Sequence, residues 1–373
     1  MPGQRKANGR AKGQEIRPQR SGLIAAYLLV FAVIAGSAAL VVGNVPVTAP
    51  QVVETAVAAT PTSAALPTPA VAVQSLPLPV RPPSGFRTFS PAELAAMSET
   101  TSDGLLLPRI APDGWMPWIA HARRFDPSGS PARIGLLMIN LGASEAAMKR
   151  AIEELPAEVS LAFLPGTPDL PRWLAQARAF GHESYLMMPV EDQGAAERGI
   201  RPIDSTADTA ENLRRLRLAM ARGSGYVGLV VSSPSPVTQS ETTLRPLVKE
   251  MVDRGLALVE VNPTRETTQR LTAELGAGYA RSADVLDYKL AGESVMGNLD
   301  RLAAWVAQAT PGRPPRHAFG VMQPDDETID AIVTWNKSLR ERHAISFVPL
   351  IGHFECRDAC MARLQAQPEQ LRP

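Results

Sequence analysis

Residues Ala132–Ser144 read ARIGLLMINLGAS. From Ile134 to Ile139 no polar side chain interrupts the run. A strand with one wet face alternates apolar and polar residues, whereas a continuous apolar run suits a strand covered on both faces, as in a parallel sheet. Gly142 breaks the run, and Ser144 is placed to cap a helix over 144–155 whose Met148, Ile152 and Leu155 share one face. The stretch is therefore one strand–turn–helix unit.

The same grammar repeats downstream. Apolar runs predict strands at 133–140, 159–164, 184–189, 226–232, 257–261, 316–322 and 345–350. Helical stripes fall between and after them at 144–155, 169–180, 208–222, 242–254, 264–275, 294–309 and 326–342. The helix over 242–254 carries Leu244, Leu247, Val248 and Met251 on one face and stops at Gly255. About seven βα units in some 220 residues predict an α/β fold, a distorted (β/α)7 barrel-like domain over 132–351. Residues 86–131 read as an entry segment packing on the barrel, with a short helix at Pro91–Met97, and 352–373 as a C-terminal tail.

The chain of 373 residues opens differently. Gly22–Gly43 (GLIAAYLLVFAVIAGSAALVVG) contains no charge and is long enough to span a bilayer, so 22–43 reads as a transmembrane anchor. Small residues near Gly36, Ser37 and Ala39 leave a cleaved signal open as the alternative. Within 1–21, Arg5, Lys6, Arg10, Lys12, Arg17 and Arg20 face only Glu15, which places this tail in the cytoplasm and everything after the span in the periplasm. Residues 44–85 hold nine prolines between Pro46 and Pro83 and read as a disordered, extended tether. Over the whole chain 38 basic residues balance 37 acidic ones, so no global field points to nucleic acid.

In a barrel of βα units, chemistry belongs at the C-terminal ends of the strands. The polar residues there are Asn140, Glu191 with Asp192, Ser232 with Ser233, Glu260 with Asn262, and Gln323 with Asp325 and Asp326. Asp325 and Asp326 also suit a helix cap. The polar loop from Glu191 to Asp204 carries Arg198 and Arg201, which fit an anionic glycan, a partner's acidic patch, or a merely solvated loop. Asn140, Glu191, Arg201, Ser232, Glu260 and Gln323 are the candidate substrate-binding residues. Cys356 and Cys360, the two cysteines, suit a disulfide in an oxidising compartment. With His353 they also form H-x-x-C-x-x-x-C, which lacks a fourth ligand for a metal clip.

Read in order, these segments resemble the divergent polysaccharide deacetylase family, a distant branch of the metal-dependent carbohydrate deacetylases. The resemblance is carried by LLPRIAPDGWMPWIAHARRFD (Leu106–Asp126), ARIGLLMINLGAS (Ala132–Ser144) and the stretch Leu155–Asp192. ENLRRLRLAMARGSGYVGLV (Glu211–Val230), RGLALVEVNPT (Arg254–Thr264), DDETIDAIVTWNKSL (Asp325–Leu339) and ISFVPL (Ile345–Leu350) complete it. It implies the barrel-like fold and a hydrolase that deacetylates N-acetyl sugars through a divalent metal such as zinc. It also implies acidic residues where this chain has Ile139 and Asn140, and a His where it has Met187, Met188 and Pro189. The polar cluster expected after GYVG reads Leu229–Ser232, and the Gly-His expected before the last helix reads Gly320-Val321. Of the five histidines, His182 and His317 fall at strand beginnings, His343 follows a helix, and His121 precedes the barrel. Only His353 is expected to reach the mouth. No cofactor is therefore expected. A carboxylate trio of Glu191, Glu260 and Asp325 is the remaining candidate for weak cation binding.

Three functions fit. The chain is an envelope glycan deacetylase with an unconventional constellation, a pseudoenzyme that binds cell-envelope glycan or peptidoglycan in the old cleft, or a non-catalytic scaffold that regulates peptidoglycan-remodelling enzymes as its protein partners. Fold alone does not choose among them.

Overall fold

The computed structural model describes residues 85–125, 132–191, 200–287, 293–308, 316–339 and 345–356, all within the compact unit Val73–Pro373. The predicted basic tail, membrane span and tether, together with Arg198, His343 and Cys360, lie outside the described residues. Among the described residues no helix is long and apolar enough to cross a membrane.

Two short strands, β1 (Ser98–Thr100) and β2 (Leu106–Pro108), pair antiparallel in the entry segment. The main sheet then forms from β3 (Arg133–Leu141), β4 (Ser160–Phe163), β5 (Ser184–Met187), β6 (Gly228–Ser232) and β7 (Ala257–Val261), followed by β8 (Tyr279–Arg281), β9 (Asp284–Val285), β10 (His317–Met322) and β11 (Ser346–Phe347). Its order is β8-β7-β6-β5-β4-β3-β10-β9, with β11 also pairing the start of β3, and every pairing in it is parallel. The sheet curls into an open, barrel-like α/β fold. Seven strands fall where the apolar runs predict them. β8 and β9 are additional, and at three and two residues they are too short to show a period.

Side chains alternate between two layers. Leu137, Ile139, Tyr185, Met187, Val230, Val259, Phe319 and Val321 fill the concave interior. Leu136, Met138, Leu161, Leu186, Leu229 and Leu258 meet the surrounding helices. Pro117–Ala120 is a short buried helix of the entry segment, and Trp118 joins the interior cluster against Phe354. Glu183 ties this end together: its carboxylate accepts from Arg123 N at 2.9 Å, Tyr185 Oη at 3.0 Å, Ser160 Oγ at 3.1 Å and Ile351 N at 3.2 Å. His182 beside it is buried, its ring nitrogens facing the Val159 carbonyl at 2.8 Å and the Ile152 carbonyl at 3.0 Å, which is a packing role.

Two expectations change here. The run 345–350 contracts to Ser346–Phe347, because Pro349 starts a 3-10 turn over Leu350–His353. His353 consequently does not reach the mouth. It is buried against Phe319 and against Gly135 near the start of β3, where a Cβ on Gly135 would lie 2.5 Å from Nε2. Cys356 is disulfide-bonded rather than free beside that ring, which removes the H-x-x-C clip as a metal site.

Candidate functional site

The last turn of β3 is irregular. Its pairing with β4 shifts between Met138 and Leu141, and Asn140 takes a left-handed φ of 59°. Asparagine tolerates that region better than other side chains with a Cβ, and bulges of this kind re-aim side chains beside functional sites. Gly142 follows with φ +116°, leaving room for the turn after β4 to close against it. Ser144 Oγ then accepts from Ala147 N at 3.3 Å and starts the helix Glu145–Glu154, as the sequence predicts.

Asn140 opens onto a depression of about 690 Å³ whose other polar lining comes from Ser144, Asp287, Gln323, Asp325, Glu327 and Thr328. Asn140 and Gln323, both predicted, are brought together by the direct pairing of β3 with β10. Asp287 was not predicted. It follows β9, and its Oδ2 accepts from Gln323 N at 2.7 Å, joining the β9 and β10 ends. Asp325 caps the helix Asp326–Leu339, accepting from Thr328 N at 2.9 Å and Thr328 Oγ1 at 2.7 Å. Its carboxylate is thus engaged at the edge of the depression.

The other candidates lie elsewhere. Glu191 Oε1 accepts from Ser205 N at 3.1 Å while its own N–H donates to Ile203 O at 2.9 Å, so it ties the return leg of its loop. Glu260 sits between the inward-facing Val259 and Val261, so it faces the helix layer and is 2% exposed. Ser233 Oγ at 2.6 Å, Tyr279 Oη at 2.6 Å and Thr268 Oγ1 at 3.0 Å all donate to it. It is a structural carboxylate, correcting its assignment to substrate. Ser232 ends β6, three strands from β3 along the sheet, and lines neither depression described here. Glu191, Glu260 and Asp325 therefore do not converge as a cation site.

Arg201 occupies a second depression, of about 590 Å³, with Arg214, Arg215 and Arg222 from the helix Thr209–Met220 and the turn after it. Arg215 is held by its Nε to Glu211 at 2.8 Å and by its Nη1 to Asp204 at 2.9 Å and the Pro202 carbonyl at 2.6 Å. Arg201 forms no hydrogen bond or ion pair among the described residues.

The donor set at the strand ends decides what the rim can hold. Where a catalytic metal would need imidazole or carboxylate, the chain offers buried Ile139, Met187 and Val231, plus one amide and one hydroxyl from Asn140 and Ser232. Hydrocarbon, thioether and neutral amide do not fit zinc. Amides and hydroxyls that both donate and accept do fit sugar hydroxyl and acetamide groups.

Residues 137–351 match the family described as "Divergent polysaccharide deacetylase". Among solved structures, an uncharacterized protein of Agrobacterium tumefaciens C58 is 26% identical with a TM-score of 0.57, covering 66% of this chain and 98% of its own. A putative cellobiose-phosphate cleavage protein of Enterococcus faecalis V583 is 12% identical with a TM-score of 0.39, covering 58% of this chain and 97% of its own. No curated protein matches the chain.

Proposed function

The chain belongs to the divergent polysaccharide deacetylase family, and from that premise we propose that it is a cell-envelope protein that binds glycan beside Asn140 without metal-dependent deacetylation. A carbohydrate-related role follows from the family. The observation that carries the finer reading is Asn140 itself. A bulge turns it into a left-handed backbone at the mouth of a depression, and its amide has no hydrogen-bond partner among the described residues. Gln323 adds a second amide to the same depression, and Ser144 a hydroxyl. The amides and the hydroxyl recognise neutral sugar and are themselves neither a general base nor a zinc ligand, while the carboxylates of Asp287 and Asp325 in the same depression accept from Gln323 N and from Thr328. The metal that the family implies is not fitted by these residues, and no chemical step is assigned to it.

The envelope location is supported by the uncharged Gly22–Gly43 stretch and the basic residues before it. The test uses the full chain, titrated with chitin oligomers and peptidoglycan fragments, with free acetate measured after loading with zinc, cobalt or nickel. Saturable binding without acetate is expected. Acetate release abolished by a chelator would overturn the non-catalytic reading, and absence of any glycan binding would favour the scaffold reading.

A further inference from the structure

The depression that holds Arg201 contains more positive charge than its own carboxylates neutralise. Four guanidiniums, from Arg201, Arg214, Arg215 and Arg222, line it. Two carboxylates, Glu211 and Asp204, pair within the group. Among the described residues two positive charges are left over. Arg214 gives Nε and Nη2 to Glu211, and Arg222 gives Nε to the Pro165 carbonyl at 3.0 Å. That leaves Nη1 of Arg214, both terminal nitrogens of Arg222 and all of Arg201 without partners among the described residues. Planar guanidiniums with unused N–H pairs match the two oxygens of a carboxylate. Leu218, 41% exposed, and Ile200 add apolar surface against which the C–H face of a sugar ring can lie.

Both depressions are bordered by segments that follow neighbouring strands of the sheet. Asn140 ends β3, Gly166 belongs to the turn after β4, and Arg201 to the loop after β5; these three strands are consecutive in the sheet. Neighbouring strands are about 4.8 Å apart, so the ends of β3 and β5 are separated by roughly 10 Å; Arg214 and Arg222 come from the helix that follows β5 and the turn after it. We propose that Arg201, Arg214 and Arg222 form an acidic-sugar subsite, which takes the carboxylate of a glycan. The substrate class is thereby an alternating or uronate-bearing acidic glycan rather than neutral chitin. This assignment rests on the glycan reading above.

The full chain is titrated with N-acetylglucosamine oligomers and with peptidoglycan glycan strands of equal length, which carry lactyl carboxylates. Inorganic phosphate alone is tested separately for protection of Arg201 and Arg222 from phenylglyoxal, read by peptide mass spectrometry. The acidic strand is expected to bind about tenfold tighter than the neutral one, with the preference shrinking as salt rises. Arg201→Gln with Arg214→Gln should bring the ratio of the two affinities close to one. Equal binding of both glycans by the native chain, or an acidic preference that survives the double substitution, overturns the subsite and leaves the glycan reading standing. If neither glycan binds, phosphate protection decides: protection keeps an anion site and removes the glycan reading, and no protection removes both.

Discussion

Gly142 and Thr167 leave no room between them for a methyl group: a Cβ on Gly142 would stand 1.9 Å from Thr167 Oγ1. That hydroxyl donates to the Leu164 carbonyl at 2.7 Å and lies against the Leu141 carbonyl at 3.3 Å, so the turn after β4 is locked onto the end of β3. Gly142→Ala meets both this collision and a φ of +116°. It is expected to cost about 2–4 kcal/mol, read as a lower urea midpoint. Combining it with Thr167→Ala should recover part of the loss, because the 1.9 Å collision is removed while the 2.9 Å approach of the residue-167 Cβ and the backbone strain stay. A midpoint equal to that of the native chain would show that the two turns are not locked.

The pH dependence of stability has two opposed sources. Burial holds His121 and His353 down to about 3, against 6.5 for a free ring, with Arg178 beside the first and His317 and Arg133 beside the second adding to the effect. Each ring's contribution is complete above pH 6.5 and is lost as pH falls toward 3, because the unfolded chain takes up the proton first. Glu183 works in the other direction. Burial pushes it up to about 7 although four donors pull it down, so its contribution is complete below 4.5 and is lost as pH rises through 7. Below pH 4.5 the histidines are joined by Asp204, Glu211 and Glu241, whose hydrogen bonds to neighbouring hydroxyl and guanidinium groups hold them below the usual carboxylate range, and stability should fall steeply. His353→Gln should reduce that acid slope by about one proton, ~1.4 kcal/mol per pH unit. Urea midpoints from pH 3 to 8 measure it; an unchanged acid slope would mean that His353 is not held neutral.

Topology is tested from the other end of the chain. Six basic residues and one acidic residue precede Gly22, and the flank richer in Lys and Arg stays in the cytoplasm. A periplasm-active reporter fused after Pro373 should give signal, and a cytoplasm-active one should not. The reverse pattern places both depressions away from envelope glycan and removes the proposed ligand.

Legibility in the sequence followed length and polarity. β3 and β6 could be read because a strand buried on both faces is apolar throughout, and their ends were marked by Asn140 and Ser232. β9 spans two residues and shows no pattern, so Asp287 after it had no signal as a rim residue. Glu260 was misassigned because a lone acid near a strand end looks like a ligand contact. The partners that make it structural, Ser233, Thr268 and Tyr279, come from three separate segments and meet only in the fold. His353 was misplaced because a 3-10 turn, not a longer strand, carries the chain back beneath the sheet.

Asn140 allows recognition to be separated from backbone strain. At φ 59° any residue with an ordinary Cβ is strained, whereas glycine is not. Asn140→Ala is therefore expected to lose about 1 kcal/mol of stability together with glycan affinity. Asn140→Gly should keep the native urea midpoint within a few tenths of a kcal/mol, since relief of the left-handed strain offsets the added freedom of the unfolded chain. It should still lose affinity, because the amide that faces the depression with Gln323 is gone. One lost hydrogen bond to a neutral sugar corresponds to about a three- to tenfold weaker dissociation constant. Titration of both variants with the same glycan decides the point. If Asn140→Gly binds as the native chain does, the left-handed bend at the end of β3 serves the turn alone, and the sugar is held elsewhere on the rim.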